Sequence, residues 1–372
     1  MPAPLRWCAT QGCLVVVGWF FFGVFWGLWI IHTSHSVGSS RQAPCDAVHY
    51  SASNMRRLPY VAIGCVSAAG AAYLTPDGRD KLPSEYLAMN PDDWRYTFDA
   101  KSMAACKTAT CTPLALDSAS RSCAAASDLS MLHLIKAAVL SLKYEHYEVS
   151  GLLEAPAAHL LSTEQWREVL SKPSGSEGRA LDVGAGCGFI TATLAPLFER
   201  TYATEVYDVL EPPLQSRGFA AAITRNPSDA EALRRAGLPT SGYDCVFALN
   251  VLDRVPRADA FLQSLISLLA PGGKLVLSIP LPHKHINTEY AEEQTKGDAL
   301  PLRGATWEDA ADDVCRHLER SGLRVQRLAR TPYLSQGLSV LGGAGPGRPF
   351  ALDAAIFVCT RSTKVDLRQA KA

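Results

Sequence analysis

From Arg179 onward the chain alternates short apolar runs with stretches of helical character, and few folds accommodate that rhythm. The runs RALDVG, TYATE, FAAAI, YDCVFALN, KLVLSIPL, LRVQRLAR and DAAIFVCT read as seven strands, with helices between most of them. Strand and helix in turn argue an α/β architecture, a mostly parallel sheet covered on both faces. The last run follows its predecessor through a loop with no clear helix, so it is expected to return antiparallel at the sheet edge.

The first of these strands leads directly into LDVGAGCGF, Leu181 to Phe189. Gly184, Gly186 and Gly188 leave the backbone open to close approach by a ligand, and the helix that follows offers its amide dipole. A nicotinamide fingerprint would need a further glycine where Phe189 stands, so G-x-G-x-x-G fails here. The pattern is instead the D/E-x-G-x-G-x-G of methyltransferases that use S-adenosylmethionine. In that reading Asp182 meets the amino group of the methionine moiety, directly or through water. Glu205 ends the second strand, and its two oxygens suit the two ribose hydroxyls. The expectation is a class I, seven-stranded, Rossmann-like methyltransferase fold with S-adenosyl-L-methionine as cofactor and no metal.

The fourth strand ends in FALNVLDRVP, Phe247 to Pro256. Its apolar half gives way to an amide, Asn250, and a carboxylate, Asp253, where ligands bind on open α/β sheets. An ordinary helix-start carboxylate, salt-bridged to Arg254, is the structural alternative for Asp253.

Lysine plus arginine balance aspartate plus glutamate at 36 each, so there is no overall basic field to grip phosphate backbones. No nucleic-acid-binding motif offsets that balance, and nucleic acid is not an expected partner. Near the amino terminus, Cys13 to Ile31 contains no charged residue and follows Arg6. As a helix it would extend roughly 28 Å, enough to cross a bilayer. It reads as a signal anchor or a long signal-peptide core, with the small residues SVGSS following. Either reading directs the chain to the secretory pathway, the endoplasmic reticulum in particular. In that oxidising setting some of the 11 cysteines would pair, whereas Cys187, Cys245, Cys315 and Cys359 sit singly in strand or helix patterns as small buried thiols.

The organisation is then residues 1–38 as signal peptide or anchor, 39–126 as an irregular lumenal extension, and 127–372 as the methyltransferase domain. Within the last, 127–178 is a helical lead-in and 179–362 the core. A helix is expected from Asp128, an N-cap candidate, through MLHLIKAAVLSLKYEHY, with His133 and His146 structural. A second, shorter helix opens at Ser162 with a Ser-x-x-Gln capping box.

Several stretches carry a closer resemblance. GLLEAPAAHLLSTEQWREVL, ALDVGAGCGFITATLAPLFERTYATE, LNVLDR, TPYLSQG and LDAAIFV together resemble the DREV family of methyltransferase-like proteins, over about Gly151 to Cys359. The resemblance implies transfer of methyl to the pros nitrogen of histidine in His-x-His motifs of protein substrates. By motif position it also implies that Asn250, Asp253 and Tyr333 form the acceptor pocket. Asn250 would orient the ring and the methionine end of the cofactor, Asp253 would hold the tele N–H, and Tyr333 would close the pocket. A different protein or small-molecule acceptor, and a catalytically silent membrane-anchored scaffold, are the other readings. PLPHKHI, with His283 and His285, reads as a loop bordering the acceptor cleft.

Overall fold

The computed structural model describes residues 9–10, 13–14, 99, 101, 103–126, 130–153, 155, 158–171, 178–281, 300, 304–336 and 349–362. The chain divides into two compact units, Met1–Ala52 and Ser53–Ala372. In the first, Ala9–Thr10 pairs antiparallel with Cys13–Leu14, the opening residues of the apolar run. The remainder of that run, where an anchor helix is expected, lies outside the described residues, as do His283 and His285. Among the described residues no helix is long and apolar enough to cross a membrane.

The second unit is built on one sheet. Its strands are β1 (Thr110–Pro113), β2 (Ala158–His159), β3 (Arg179–Val183), β4 (Arg200–Glu205), β5 (Ala221–Ile223), β6 (Tyr243–Leu249), β7 (Leu269–Pro280), β8 (Leu323–Gln336) and β9 (Pro349–Arg361). Their spatial order is β1-β8-β9-β7-β6-β3-β4-β5, with β2 pairing β8 off this path. From β7 to β5 every neighbouring pair is parallel. All seven expected strands form, in a Rossmann-like arrangement.

Two expectations need correction. β9 does run antiparallel, but it lies inside the sheet, between β7 and β8, and not at the edge. The sequence holds the reason: Ala354, Ala355, Ile356, Phe357, Val358 and Cys359 are all buried, an unbroken apolar run that needs cover on both faces and partners on both sides. The vacant edge is taken by β1, which pairs parallel with β8 from within the segment expected to be irregular. Residues 103–126 therefore belong to the folded unit. They also supply helix α1 (Ser118–Ala126) and a disulfide, Cys106–Cys111, with Cα atoms 5.6 Å apart.

The lead-in is two helices and not one. α2 (Met131–Leu140) is capped by Ser130, not Asp128, in a box completed by His133. A turn then leads to α3 (His146–Leu152). α4 (Thr163–Leu170) starts as expected, with Ser162 and Gln165 capping each other.

Alternation along β6 shows how the core is divided. Cys245, Phe247 and Leu249 face a cluster containing Trp166 of α4, while Val246 and Ala248 face the opposite cluster. That opposite cluster holds Leu262 and Leu265 of α8 (Ala258–Leu268) together with Val314 and Leu318 of α9 (Trp307–Arg320). Phe247 is fully buried, with Trp166 and Phe198 edge-on at 5.7 and 5.9 Å. β3, between β4 and β6, is where the strand order reverses, so a crevice opens beyond its carboxyl end.

Candidate functional site

A cavity of about 680 Å³ occupies that crevice. One wall is the loop between β3 and α5 (Phe189–Leu194), another is the end of β4, and a third is the segment after β6. Tyr147 and Ser150 of α3 and Tyr333 of β8 complete the enclosure.

The three glycines divide the work. Gly184 has φ +72°, and a Cβ there would meet Val251 Cγ2 at 2.6 Å, so its bareness lets the loop pack on the segment after β6. Gly186, at φ +57°, has nothing within 4 Å of a built Cβ and lines the cavity. Gly188 caps α5 at φ +86°, with Leu214 3.0 Å from where its Cβ would be; it does not line the cavity. Of the three, Gly186 offers the backbone surface on which a ligand could rest.

Glu205 is buried at the end of β4 and lines the cavity. Its Oε2 accepts from the Gly186 amide at 2.7 Å, and its Oε1 accepts from the Val206 and Tyr207 amides at 2.7 and 3.3 Å. Burial pushes its carboxyl above the ordinary range, and the Val206 and Gly186 amides oppose that shift. A carboxylate has roughly four lone-pair sites and the three amides occupy most of them, so capacity remains for one hydroxyl donor.

Asp182 stands apart from the cavity lining. Its carboxyl is buried on β3, where Oδ2 accepts from Thr191 Oγ1 of α5 at 2.6 Å. Burial raises it to about 7, the Thr191 hydroxyl opposes, and the Glu205 charge adds to the rise. Asp182 thus ties α5 to its strand.

Asn250 is the residue where β6 gives way to the loop. Its φ of +57° is a left-handed conformation, shared among the described non-glycine residues only by Ser171. Asparagine tolerates this better than most side chains, and such strain concentrates at ligand sites. The residue is buried, its Oδ1 accepts from Ser278 Oγ at 2.8 Å, and its Nδ2 is covered without a hydrogen-bond partner among the described residues. A buried donor left unmade costs about 1–3 kcal/mol, a deficit that a bound molecule could relieve.

Three residues further on, the arrangement departs from expectation. Asp253 does not line the cavity; its neighbour Arg254 does. Asp253 Oδ2 lies 3.8 Å from Arg254 Nε, and the Arg254 guanidinium sits 5.2 Å from the centre of the Tyr147 ring. Burial opposes the Arg254 charge, but Tyr147, Asp253 and Tyr333 together outweigh it and hold the guanidinium above its usual range. Tyr333 is buried on β8 and lines the cavity, with Arg254 as a hydrogen-bond partner. Sequence reasoning assigned the carboxylate to the pocket and left its arginine outside it. In a turn, side-chain direction changes from one residue to the next, and no periodicity marks which faces inward.

Gly186, Glu205, Asn250, Arg254 and Tyr333 all line this one cavity, so a glycine-loop and carboxylate ligand site is continuous with the residues at the end of β6 and on β8. A Rossmann-like sheet with this glycine loop and strand-end carboxylate is of the methyltransferase class. The family model for DREV methyltransferase matches residues 100–341, and the chain belongs to that family.

Among curated proteins, protein-L-isoaspartate O-methyltransferase of Dechloromonas aromatica (strain RCB) is 33% identical over 149 residues, covering 37% of this chain and 65% of the relative. A ubiquinone biosynthesis O-methyltransferase of Xanthomonas oryzae pv. oryzae (strain PXO99A) is 29% identical over 100 residues, covering 27% of this chain and 42% of the relative. The chain thus spans less than two thirds of the length of either relative. Among solved structures, the complex of DhpI with S-adenosylhomocysteine overlaps at a TM-score of 0.34 with 16% identity, covering 63% of this chain and 95% of the other. The N-methyltransferase NodS of Bradyrhizobium japonicum WM9, solved with S-adenosyl-L-homocysteine, overlaps at 0.34 with 17% identity, covering 54% and 85%.

Proposed function

We propose that the protein is an S-adenosylmethionine-dependent methyltransferase acting on the pros nitrogen of histidine in His-x-His motifs of protein substrates. The observation that carries this reading is the single cavity whose wall joins Glu205 and the glycine loop to Asn250 and Tyr333. The residues fit the cofactor in three respects. Gly186 presents bare backbone, Glu205 keeps acceptor capacity for one hydroxyl donor, and Asn250 has an amide donor without a partner among the described residues. When bound, S-adenosylmethionine supplies an electrophilic methyl group on a sulfonium sulfur.

Neutral imidazole is already a competent nucleophile near pH 7, so the protein's task is placement more than proton removal. Asn250 and Tyr333 orient the ring from two elements of the sheet. Tyr147 and Tyr333 hold Arg254 as the wall between them. Asp253 acts on the tele N–H through water, since its own side chain is not part of the cavity wall, and its negative charge favours the imidazolium product. Placement of the protein along the secretory pathway is part of the same proposal and rests on the Cys13–Ile31 run.

Incubation with His-x-His peptides and labelled cofactor, followed by mass spectrometry that assigns methyl to a ring nitrogen, tests the reading. Label on the tele nitrogen, or none on histidine, would overturn it. A second reading, transfer to another protein or small-molecule acceptor, is favoured by one observation: the expected carboxylate, Asp253, does not line the cavity. Competition by His-x-His peptides against that acceptor distinguishes the two.

A further inference from the structure

Asn250 is bound to the neighbouring strand twice. Its backbone N–H donates to the Ser278 carbonyl at 2.9 Å, and its Oδ1 accepts from Ser278 Oγ at 2.8 Å. Ser278 is completely buried on β7, opposite Leu249 in the strand register, and does not line the cavity. A serine hydroxyl has one proton to give. Given to Oδ1, it occupies the amide oxygen and leaves the amino group, Nδ2, as the unused end. A hydroxyl can also accept, but a reversed amide would leave the buried Ser278 proton without an acceptor among the described residues, so the bond to Ser278 favours this end of the amide.

We propose that Ser278 is a positioning residue: by holding the Asn250 carbonyl oxygen it makes Asn250 a hydrogen-bond donor toward whatever occupies the cavity, and because the pros nitrogen of the acceptor ring faces the methyl while its tele nitrogen carries a proton, the lone pair that Asn250 meets is an oxygen's. The oxygen is a carboxylate or carbonyl, and it has two possible sources under the proposed function, on which this inference rests. One is the α-carboxylate of the methionine part of the methyl donor. The other is a backbone carbonyl of the acceptor peptide. Neither source works if the amide is reversed, because two oxygens would then face each other.

The test uses the full-length protein, with S-adenosylhomocysteine affinity by titration calorimetry as one arm and KM against kcat for a His-x-His peptide as the other. Ser278→Ala is expected to weaken one arm by about 10-fold, the worth of one well-placed hydrogen bond. Loss in the calorimetric arm assigns the oxygen to the donor's carboxylate, and a raised peptide KM with calorimetry unchanged assigns it to the acceptor. In an Asn250→Ala background the same substitution should have no further effect on either arm, since Ser278 acts only through the amide. An undiminished Ser278→Ala, or an equal loss in both backgrounds, overturns the proposal.

Asn250→Asp provides a second measurement should Ser278→Ala fail to fold. It keeps an acceptor for Ser278 but has no N–H to give, so unchanged affinity and KM would also overturn the proposal. A wild-type protein that neither binds S-adenosylhomocysteine nor methylates peptide sinks the proposed function. A functional wild type with an indifferent Ser278→Ala sinks only this inference.

Discussion

Glu205 and Gly186 are joined by a 2.7 Å hydrogen bond from the loop amide to the carboxylate Oε2, so the end of β4 sets the shape of the loop after β3. The bond crosses between adjacent parallel strands and fixes Gly186, which lines the cavity with open space where a Cβ would stand. Replacing Glu205 with glutamine keeps the size and removes the charge. Charged acceptors hold amides about twice as strongly as neutral ones, so S-adenosylhomocysteine affinity is expected to fall by about 10-fold or more. Calorimetry checks this, and an affinity equal to wild type would remove Glu205 from the cofactor site.

Gly184 and Gly186 should respond differently to alanine. Both adopt left-handed backbone, which costs a residue with a Cβ about 1–2 kcal/mol. Gly184→Ala adds a collision with Val251, so it should lower the melting temperature more. Gly186→Ala meets open space, so its larger effect should be on ligand affinity. Thermal melting and calorimetry on the pair separate packing from binding, and the reverse ranking would contradict the assignment.

Asp182 should make stability fall with rising pH. Burial first of all raises its carboxyl to about 7 in the folded chain, from an ordinary 3.8. The folded state therefore holds this proton more tightly than the unfolded state does. The contribution is fully present below about pH 4 and is lost as pH climbs to about 7, because the folded protein must then bury a charge. Asp182→Asn removes the titration and retains an acceptor for Thr191. Its melting temperature relative to wild type should rise across that window and level off above it, and a constant difference from pH 4 to 8 would count against the buried carboxyl.

Asp253 and Arg254 should behave as a unit. The carboxylate lies 3.8 Å from an arginine that shares the cavity wall with Tyr333, so its influence on the acceptor runs partly through that arginine. Asp253→Ala is expected to lower kcat by about 10-fold or more, within the range of loss of a charge-stabilising group. Cofactor affinity should change little. Arg254→Lys, which keeps charge but loses the guanidinium beside the Tyr147 ring, should lower kcat too, and the two losses should not add. Full activity of the Asp253 variant on a histidine peptide would end its proposed role.

The strands, the glycine loop and the Glu205 position were legible in sequence because each is a local pattern. The near-continuous apolar run of β6, an acidic residue closing β4 and glycines between strand and helix all depend on neighbours a few residues away. Ser162 and Gln165 announced a helix start for the same reason. Long-range pairing left no such mark. That β9 inserts between β7 and β8, and that β1 from the alanine- and serine-rich extension closes the edge, follows from which surfaces need cover once the sheet exists.

The site divides along the same line. Local pattern was enough to place a glycine loop and a strand-end carboxylate in the cofactor site of an α/β sheet. Folding in three dimensions set the rest: Gly188 packs against Leu214 instead of facing the cavity, and Arg254 lines it in place of Asp253. It also paired Asn250 with a serine 28 residues away. These outcomes depend on side-chain direction in a turn and on contacts between distant segments, which three-dimensional packing sets and no short-range pattern encodes.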